Sequence, residues 1–320
     1  MLKIFYKVFN ESDFLKESLQ SVYPYADEII VMEYCLDSMR KVILPSRVTD
    51  RGLSVDGTTQ IIKSFPDPDK KIKYLPVGFI YGGENIPYQM ILDLSEVGDY
   101  IWVMDGDIVY PKQLCEKIRD WVNGSTYSCI WIPERVFYHD LWHEKHLFFT
   151  HHQRIFRNPS VQAFYFPRCF EVHWIDVYEG VTDKGLYFYG RDAEYEQHGK
   201  RFNSKYCDPQ IDGFAFHYAY VRGIQRTLEK LLWQYNMIDR RWDNAVERTA
   251  CKKFGRDPLE FKIMTHDYFL NHEPEHRRRF NGKHPDVMFN NKWMDYYWDE
   301  KSIKTSYDEA RKLVGDVGRC

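Results

Sequence analysis

Two carboxylates one residue apart, Asp105 and Asp107, follow the apolar run Tyr100-Ile101-Trp102-Val103-Met104, with Gly106 between them. Carboxylate oxygens are hard ligands, and a pair at this spacing can hold a divalent cation such as Mn2+ or Mg2+. The glycine lets the turn come close to a diphosphate, because no side chain stands in the way. A cation held there would neutralise a departing phosphate. The competing reading is an ordinary solvated acidic turn, since such residues are common after strands.

What separates the two readings is position. In open α/β sheets ligands bind outside the carboxyl ends of the strands, so the elements around Asp105 must build such a sheet. Lys3–Val8 reads as a first strand, followed by the polar break Asn10-Glu11-Ser12. Phe14, Leu15, Leu19 and Val22 then recur at helical spacing, with Ser12 as the expected cap and Pro24 as the stop. Glu28–Met32, Lys71–Leu75, Tyr100–Met104 and Ser128–Ile132 are further strands, and Thr58–Phe65, Asn85–Val97 and Pro111–Val122 are the helices between them. Short apolar runs alternating with helical patterns predict βαβ units and a Rossmann-like α/β fold, with a mostly parallel central sheet flanked by helices. The stretch from about Glu134 to Phe216, rich in His, aromatic and turn residues, has no simple periodicity. From Val221 to about Phe254 a broad apolar stripe (Ile224, Leu228, Leu231, Tyr235, Ile238, Trp242) is helical again. The expected organisation is a catalytic domain over 1–220 and a helical C-terminal extension over 221–320. The extension would cover the acceptor side or make a homo-oligomer contact.

Composition removes several function classes. A formal net charge of -3 gives no electrostatic reason to propose a nucleic-acid backbone or an acidic membrane as the main partner. The 7 cysteines are odd in number and lack a C-x-x-C pair, which argues against a disulfide framework and a structural zinc site. No stretch approaches the roughly 20 apolar residues that cross a bilayer, and the N-terminus lacks the apolar core of a secretory signal. A cytoplasmic location is expected, with the membrane surface as the alternative. Aromatic residues reach 17%, enough to line a sugar-binding cleft with rings, although core packing accounts for most of them.

Three segments in order, Lys7–Glu33 with its Asn10-Glu11 pair, Ser54-Val55-Asp56-Gly57-Thr58, and Tyr100–Pro111 with its D-x-D triplet, resemble the family 2 glycosyltransferases of the GT-A fold over residues 1–135. The resemblance implies a metal-dependent enzyme that transfers a sugar from a nucleotide-diphosphate sugar to an acceptor hydroxyl, with inversion at the anomeric carbon. It implies that Asn10 and Glu11 lie near the nucleotide, that Glu33 and Asp56 contact base or ribose, and that Asp105 and Asp107 handle ribose and metal. It makes His217 the downstream metal ligand, where a bland reading gives a core or surface histidine. It assigns the general base to Asp192, in the aromatic-rich segment Gly185–Glu194, with Glu171, Asp176 and Glu179 as competitors. Three departures stand out: Glu33 replaces the usual Asp, residues Tyr34–Leu53 form an insertion, and Arg191 occupies the position of a glutamate.

Other clusters carry weaker expectations. Arg154 and Arg157 are phosphate donors or solvated arginines. His143, His146, His151 and His152, and the segment His272–His276, match no metal spacing with a mechanical reason, Pro274 interrupting the latter. The basic run Arg277-Arg278-Arg279 is a solvated loop or faces an acidic acceptor. Two rival functions stay open: a non-catalytic carbohydrate-binding protein of the same fold, and a sugar-phosphate nucleotidyltransferase, which would need a glycine-rich loop that Val8–Ser12 lacks. The acceptor, whether glycan, lipid, protein or modified nucleic acid, is not specified by any motif.

Overall fold

The computed structural model describes residues 1–37, 45–81, 85–125, 129–138, 140–145, 150–158, 176–177, 188–189, 207–208, 211–221 and 277–295. Four parallel strands come first. β1 (Leu2–Val8) lies between β2 (Glu28–Leu36) and β4 (Tyr100–Asp105), and β3 (Ile72–Ile80) pairs with the outer edge of β2. Both faces of β1 are covered, so its sequence reads as one apolar run broken only by lysines. Leu2, Ile4, Tyr6 and Val8 project from one face into the main core. They meet Leu15, Leu19 and Val22 of helix α1 (Leu15–Val22), Ile62 of α2 (Thr58–Ser64), and Leu114 and Ile118 of α4 (Lys112–Gly124) there. Helix α3 (Asn85–Asp93) follows β3.

Beyond β4 the sheet turns antiparallel. β5 (Ile108–Val109) and β6 (Cys129–Tyr138) lead into β7 (His143–Lys145) and β8 (Thr150–Arg157), and β8 inserts antiparallel between β4 and β6. The short strands β9 (Asp176–Val177) and β10 (Phe188–Tyr189) form a separate pair, and β11 (Cys207–Asp208) joins β6 in parallel. β12 (Ala215–Tyr220) pairs parallel with β6 and antiparallel with β5, and β13 (Arg277–Arg279) adds antiparallel to β7. The spatial order is β13-β7-β6-β8-β4-β1-β2-β3, a mixed α/β architecture with a parallel-rich centre flanked by helices.

Several boundaries moved for physical reasons. Ser12 does not cap α1: the chain first makes a turn in which Leu15 N–H donates to Glu11 O, and Phe14 occupies the N-cap position without a side-chain hydrogen bond. β2 runs on to Leu36 because β3 continues beside it as far as Ile80, past a register shift at Glu33/Tyr34. In the insertion, the turn Thr49–Leu53 seats Gly52 against the backbone at Gly78–Phe79. A Cβ on Gly52 would lie 2.5 Å from Phe79 N, and one on Gly78 would lie 2.3 Å from Arg51 O, so neither position tolerates a side chain.

The helix-patterned stretch after Val221 lies outside the described residues. The described part of the region 221–320 returns to the sheet: after β13, Phe280, Met288, Trp293 and Met294 pack on Phe14, Phe137, Phe216 and Tyr218 in a second core. His284 is buried in it, with Nδ1 against Tyr218 Oη at 2.9 Å and Nε2 against Leu141 O at 2.8 Å. Burial pulls its pKa down to about 4, against weaker opposing effects of Leu141 O and Glu144. Among the described residues no helix is long and apolar enough to cross a membrane.

Candidate functional site

Register fixes where the acids stand. Val8 is level with Glu33 and Lys7 with Asp105, so Asn10-Glu11, Glu33 and Asp105-Gly106-Asp107 gather at the carboxyl ends of β1, β2 and β4. The segments also interlock. Asn10 adopts a left-handed backbone (φ 53) that asparagine tolerates better than most residues. Its N–H donates to Ser54 Oγ (2.9 Å), its Nδ2 to Arg47 O (2.8 Å), and its Oδ1 accepts from Val55 N–H (3.1 Å). Glu11 N–H donates to Thr58 Oγ1 at 2.7 Å, and Ser12 N–H to Asp56 Oδ2 at 3.0 Å. Asp56 Oδ1 also accepts from Thr58 N–H (3.1 Å) and Thr58 Oγ1 (2.6 Å), which makes Asp56 the organiser of the α2 entry. A Cβ on Gly106 would sit 2.8 Å from Glu11 Cβ, so the glycine is what lets the acidic turn rest on the Asn10-Glu11 segment.

Glu33 is fully buried. Its carboxylate accepts from Ser54 N–H (2.7 Å), from Thr59 Oγ1 (3.0 and 2.9 Å) and from Tyr74 Oη. Burial, with the Glu33 carboxylate behind it, pushes the Tyr74 phenol up to about 12. Glu33 thus anchors the loop that carries Asp56.

The two acids of the triplet point to different partners. Asp105 Oδ1 lies 3.6 Å from Lys7 Nζ. Asp107 is buried, and its Oδ1 lies 3.4 Å from His217 Nε2. β12 brings His217 there by pairing with β5 (His217 level with Ile108), and the Tyr218 N–H donates to Asp107 O at 2.8 Å. On the other side of the ring, His217 Nδ1 lies 3.0 Å from Oε2 of Glu134, a fully buried acid of β6. Burial alone would lower the histidine's pKa, but the carboxylates of Asp107 and then Glu134 outweigh it and raise it to about 9.

Two of these side chains could hold a cation between them. A carboxylate behind a ligating histidine fixes its tautomer and leaves the far ring nitrogen as the ligand. Nε2 of His217 faces Asp107 Oδ1 across a gap that a proton or a divalent cation can bridge. Among the described residues no group of three or more His, Cys, Asp or Glu side chains has metal-holding geometry. Two protein ligands nevertheless suit Mg2+ or Mn2+ in a nucleotide site, where phosphates and waters supply the rest.

The remaining candidates divide plainly. Asp192, Glu171 and Glu179 lie outside the described residues, as does His146 and the segment His272–His276, and Asp176 is described only as backbone of β9. His143 is held by buried Asp140 (Nδ1–Oδ1 2.9 Å), and Glu144 by Arg135 (2.6 Å), so these two members of the first histidine cluster are held by side chains outside it. His151, His152 and Arg154 are described as backbone of β8, and Arg157 is exposed at its end. The run Arg277–Arg279 is strand β13, not a loop. Sequence reasoning missed Glu134 and Lys7. Each is a charge within a largely apolar strand, beside Arg135 in β6 and two turns of the pleat from Lys3 in β1, a pattern that costs stability unless the charge is paired.

No protein-family model matches the sequence, and no curated protein matches it significantly. Among solved structures the chain is similar to Staphylococcus aureus TarS residues 1-349, with 12% identity, TM-score 0.36, and coverage of 85% of this chain and 73% of that one. The same TarS portion in complex with UDP-GlcNAc gives 12% identity, TM-score 0.34, and coverage of 86% and 76%. Its complex with UDP gives 13%, 0.33, and 86% and 72%.

Proposed function

We propose that this protein is a glycosyltransferase that takes a sugar from a nucleotide-diphosphate donor bound at the carboxyl ends of β1, β2 and β4. The observation that carries the reading is the convergence of Asp107, His217 and Glu134 beside a glycine turn seated on Asn10-Glu11. Four segments distant in sequence meet there, and a buried carboxylate–imidazole–carboxylate line is costly to assemble without a cation or proton to hold.

In this reading Asp107 and His217 hold Mn2+ or Mg2+, which when bound withdraws charge from the departing nucleoside diphosphate. Glu134 keeps the His217 ring oriented through Nδ1. Gly106 lets the acidic turn rest against Glu11, which holds the triplet beside the Asn10-Glu11 segment. Asp105 accepts hydrogen bonds from the nucleoside, and Asn10, Glu33 and Asp56 hold the loops that shape its pocket. Direct displacement at the anomeric carbon gives an inverted product, and Asp192 is the base that takes the acceptor proton.

The test is turnover. UDP- and GDP-sugars are incubated with Mn2+ and the protein, alone and with glycan, lipid-phosphate and peptide acceptors, and nucleoside diphosphate release and product mass are followed. Release from one donor that accelerates with one acceptor class supports transfer, and loss of that acceleration in Asp192→Asn supports the base. Nucleotide binding without release under any condition would make the protein a carbohydrate-nucleotide binder. Pyrophosphate-dependent formation of a sugar 1-phosphate would make it a nucleotidyltransferase.

A further inference from the structure

Residues 280–294 follow β13 and pack along the second core as a strap bonded at three places. Phe280 N–H donates to Trp142 O at 2.7 Å, His284 Nε2 to Leu141 O at 2.8 Å, and Asn291 Nδ2 to Asp13 O at 3.1 Å. Lys292 Nζ adds an ion pair to Asp13 Oδ1 at 2.6 Å. Asp13 comes two residues after Glu11, and Phe14 stacks on Tyr218, with ring centres 4.9 Å apart and 22° between the planes. The strap thus holds the candidate site from two sides: the Asn10-Glu11 segment through Asp13, and β12 through Tyr218, whose Oη lies 2.9 Å from His284 Nδ1.

His284 is the part of the strap that packing does not explain. The rings of Phe137, Trp142, Phe216 and Phe280 stand 4.9–5.8 Å from its own, and an apolar side chain would fill such a cage at lower cost than an imidazole. Both of its nitrogens are used. Leu141 O can only accept, so Nε2 carries the proton, and Nδ1 of the neutral ring accepts from the Tyr218 hydroxyl. A buried polar chain that is fully satisfied rigidifies its surroundings and fixes one arrangement. Here the fixed group is Tyr218, whose backbone N–H donates to Asp107 O at 2.8 Å. Successive side chains of a strand point to opposite faces. Holding the Tyr218 ring in the second core therefore aims His217 at Asp107, 3.4 Å away on the other face. A hard cation tolerates little error in that aim, since Mg2+ takes its ligands at about 2.0–2.1 Å in near-ideal geometry.

We propose that His284 is a positioning residue of the candidate cation site: through the Tyr218 hydroxyl it fixes β12, and with it the placement of His217 against Asp107, from the opposite face of the sheet. The assignment rests on the nucleotide-donor reading above and extends the site to a strap 67 residues beyond His217 in sequence. A residue that only packs changes stability alone. A positioning residue changes the cation affinity of the folded protein.

The experiment measures Mn2+ affinity by electron paramagnetic resonance, without and with UDP or GDP, for the wild type, Tyr218→Phe, His284→Gln, His284→Asn, Tyr218→Phe/His284→Gln and Met288→Ala. Circular dichroism and chemical denaturation report folding and stability of each. His284→Gln keeps a donor at the Nε2 end, and His284→Asn keeps an acceptor at the Nδ1 end. Tyr218→Phe and His284→Gln should each weaken Mn2+ binding at least about fivefold, the low end of coupling between separate sites. His284→Asn should hold it within about twofold, and the double variant should be no weaker than the weaker single one, because both break the same link. Met288→Ala, which removes strap packing in the same core, should lower the denaturation midpoint and leave Mn2+ affinity within about twofold. Should His284→Gln not fold, Tyr218→Phe, which loses only an oxygen, carries the test. Folded variants with wild-type Mn2+ affinity, or a Met288→Ala that loses as much as Tyr218→Phe, would overturn the proposal while leaving the donor site standing. A wild type that binds neither Mn2+ nor a nucleotide would overturn both.

Discussion

Replacing Glu134 by glutamine isolates what the buried acid contributes. The change preserves the side chain's size and an oxygen able to accept from His217 Nδ1, and removes one negative charge 3.0 Å from the ring. The rise of the histidine from 6.5 to about 9 is the joint work of Asp107 and Glu134 against burial. At about 1.4 kcal/mol for each pKa unit the net shift amounts to about 3 kcal/mol, with Asp107 the larger and Glu134 the smaller of the two raising causes. The sign follows from the folded pKa lying above the unfolded one. Stabilisation is complete below pH 6.5 and is lost as pH rises through 9. In Glu134→Gln the folded pKa drops, so the loss sets in at lower pH and the cation-free protein is less stable around neutrality. With Mn2+, loss of the carboxylate behind a ligating histidine should weaken binding about 10- to 100-fold. Imidazole resonances followed by NMR against pH, and Mn2+ titration by electron paramagnetic resonance, read both effects. A His217 that titrates where it does in the wild type, together with unchanged Mn2+ affinity, would refute the reasoning.

Three further outcomes follow from the packing. Glu33→Ala leaves Ser54 N–H, Thr59 Oγ1 and Tyr74 Oη without their shared acceptor, and should cost at least about 3 kcal/mol of stability in chemical denaturation; an unchanged midpoint would mean that Glu33 is no anchor. Gly106→Ala drives a Cβ to within 2.8 Å of Glu11 Cβ, and should cost about 1–3 kcal/mol and weaken nucleotide binding, both measurable by denaturation and calorimetry. His284, neutral in the fold with a pKa of about 4, contributes stability that is complete above pH 6.5 and is lost as pH falls through 4. His284→Gln should flatten thermal melting between pH 6.5 and 4, and an equally steep decline in the variant would point to other groups.

The N-terminal half was legible because parallel strands buried on both faces announce themselves as apolar runs, and because Asp105-Gly106-Asp107 ends one of them. β1 and β4 appear where their patterns put them to within one residue, β2 begins where expected but runs on to Leu36, and α2 and α4 agree to within two residues. The antiparallel half was legible only at the start of β6, where Ser128–Ile132 reads as a strand. β6 carries Glu134 and Arg135 inside an apolar strand, and β8 begins Thr-His-His-Gln, so neither shows a clean period until the pairing is known. The roles of individual acids were the least readable. Asn10, Glu33 and Asp56 are polar residues at strand ends, and only coordinates show their hydrogen bonds directed to Arg47, Ser54, Thr58 and Tyr74. Glu134 was hidden because its partner, His217, lies 83 residues away.

The most direct test of the donor site is calorimetric titration of UDP, GDP and their sugar conjugates, with and without Mn2+, against the wild type and Asp107→Ala. The account predicts that one nucleotide binds in a Mn2+-dependent manner and that Asp107→Ala, still folded, loses the dependence. Nucleotide binding that ignores both Mn2+ and the Asp107 substitution, or no binding at all, would contradict it.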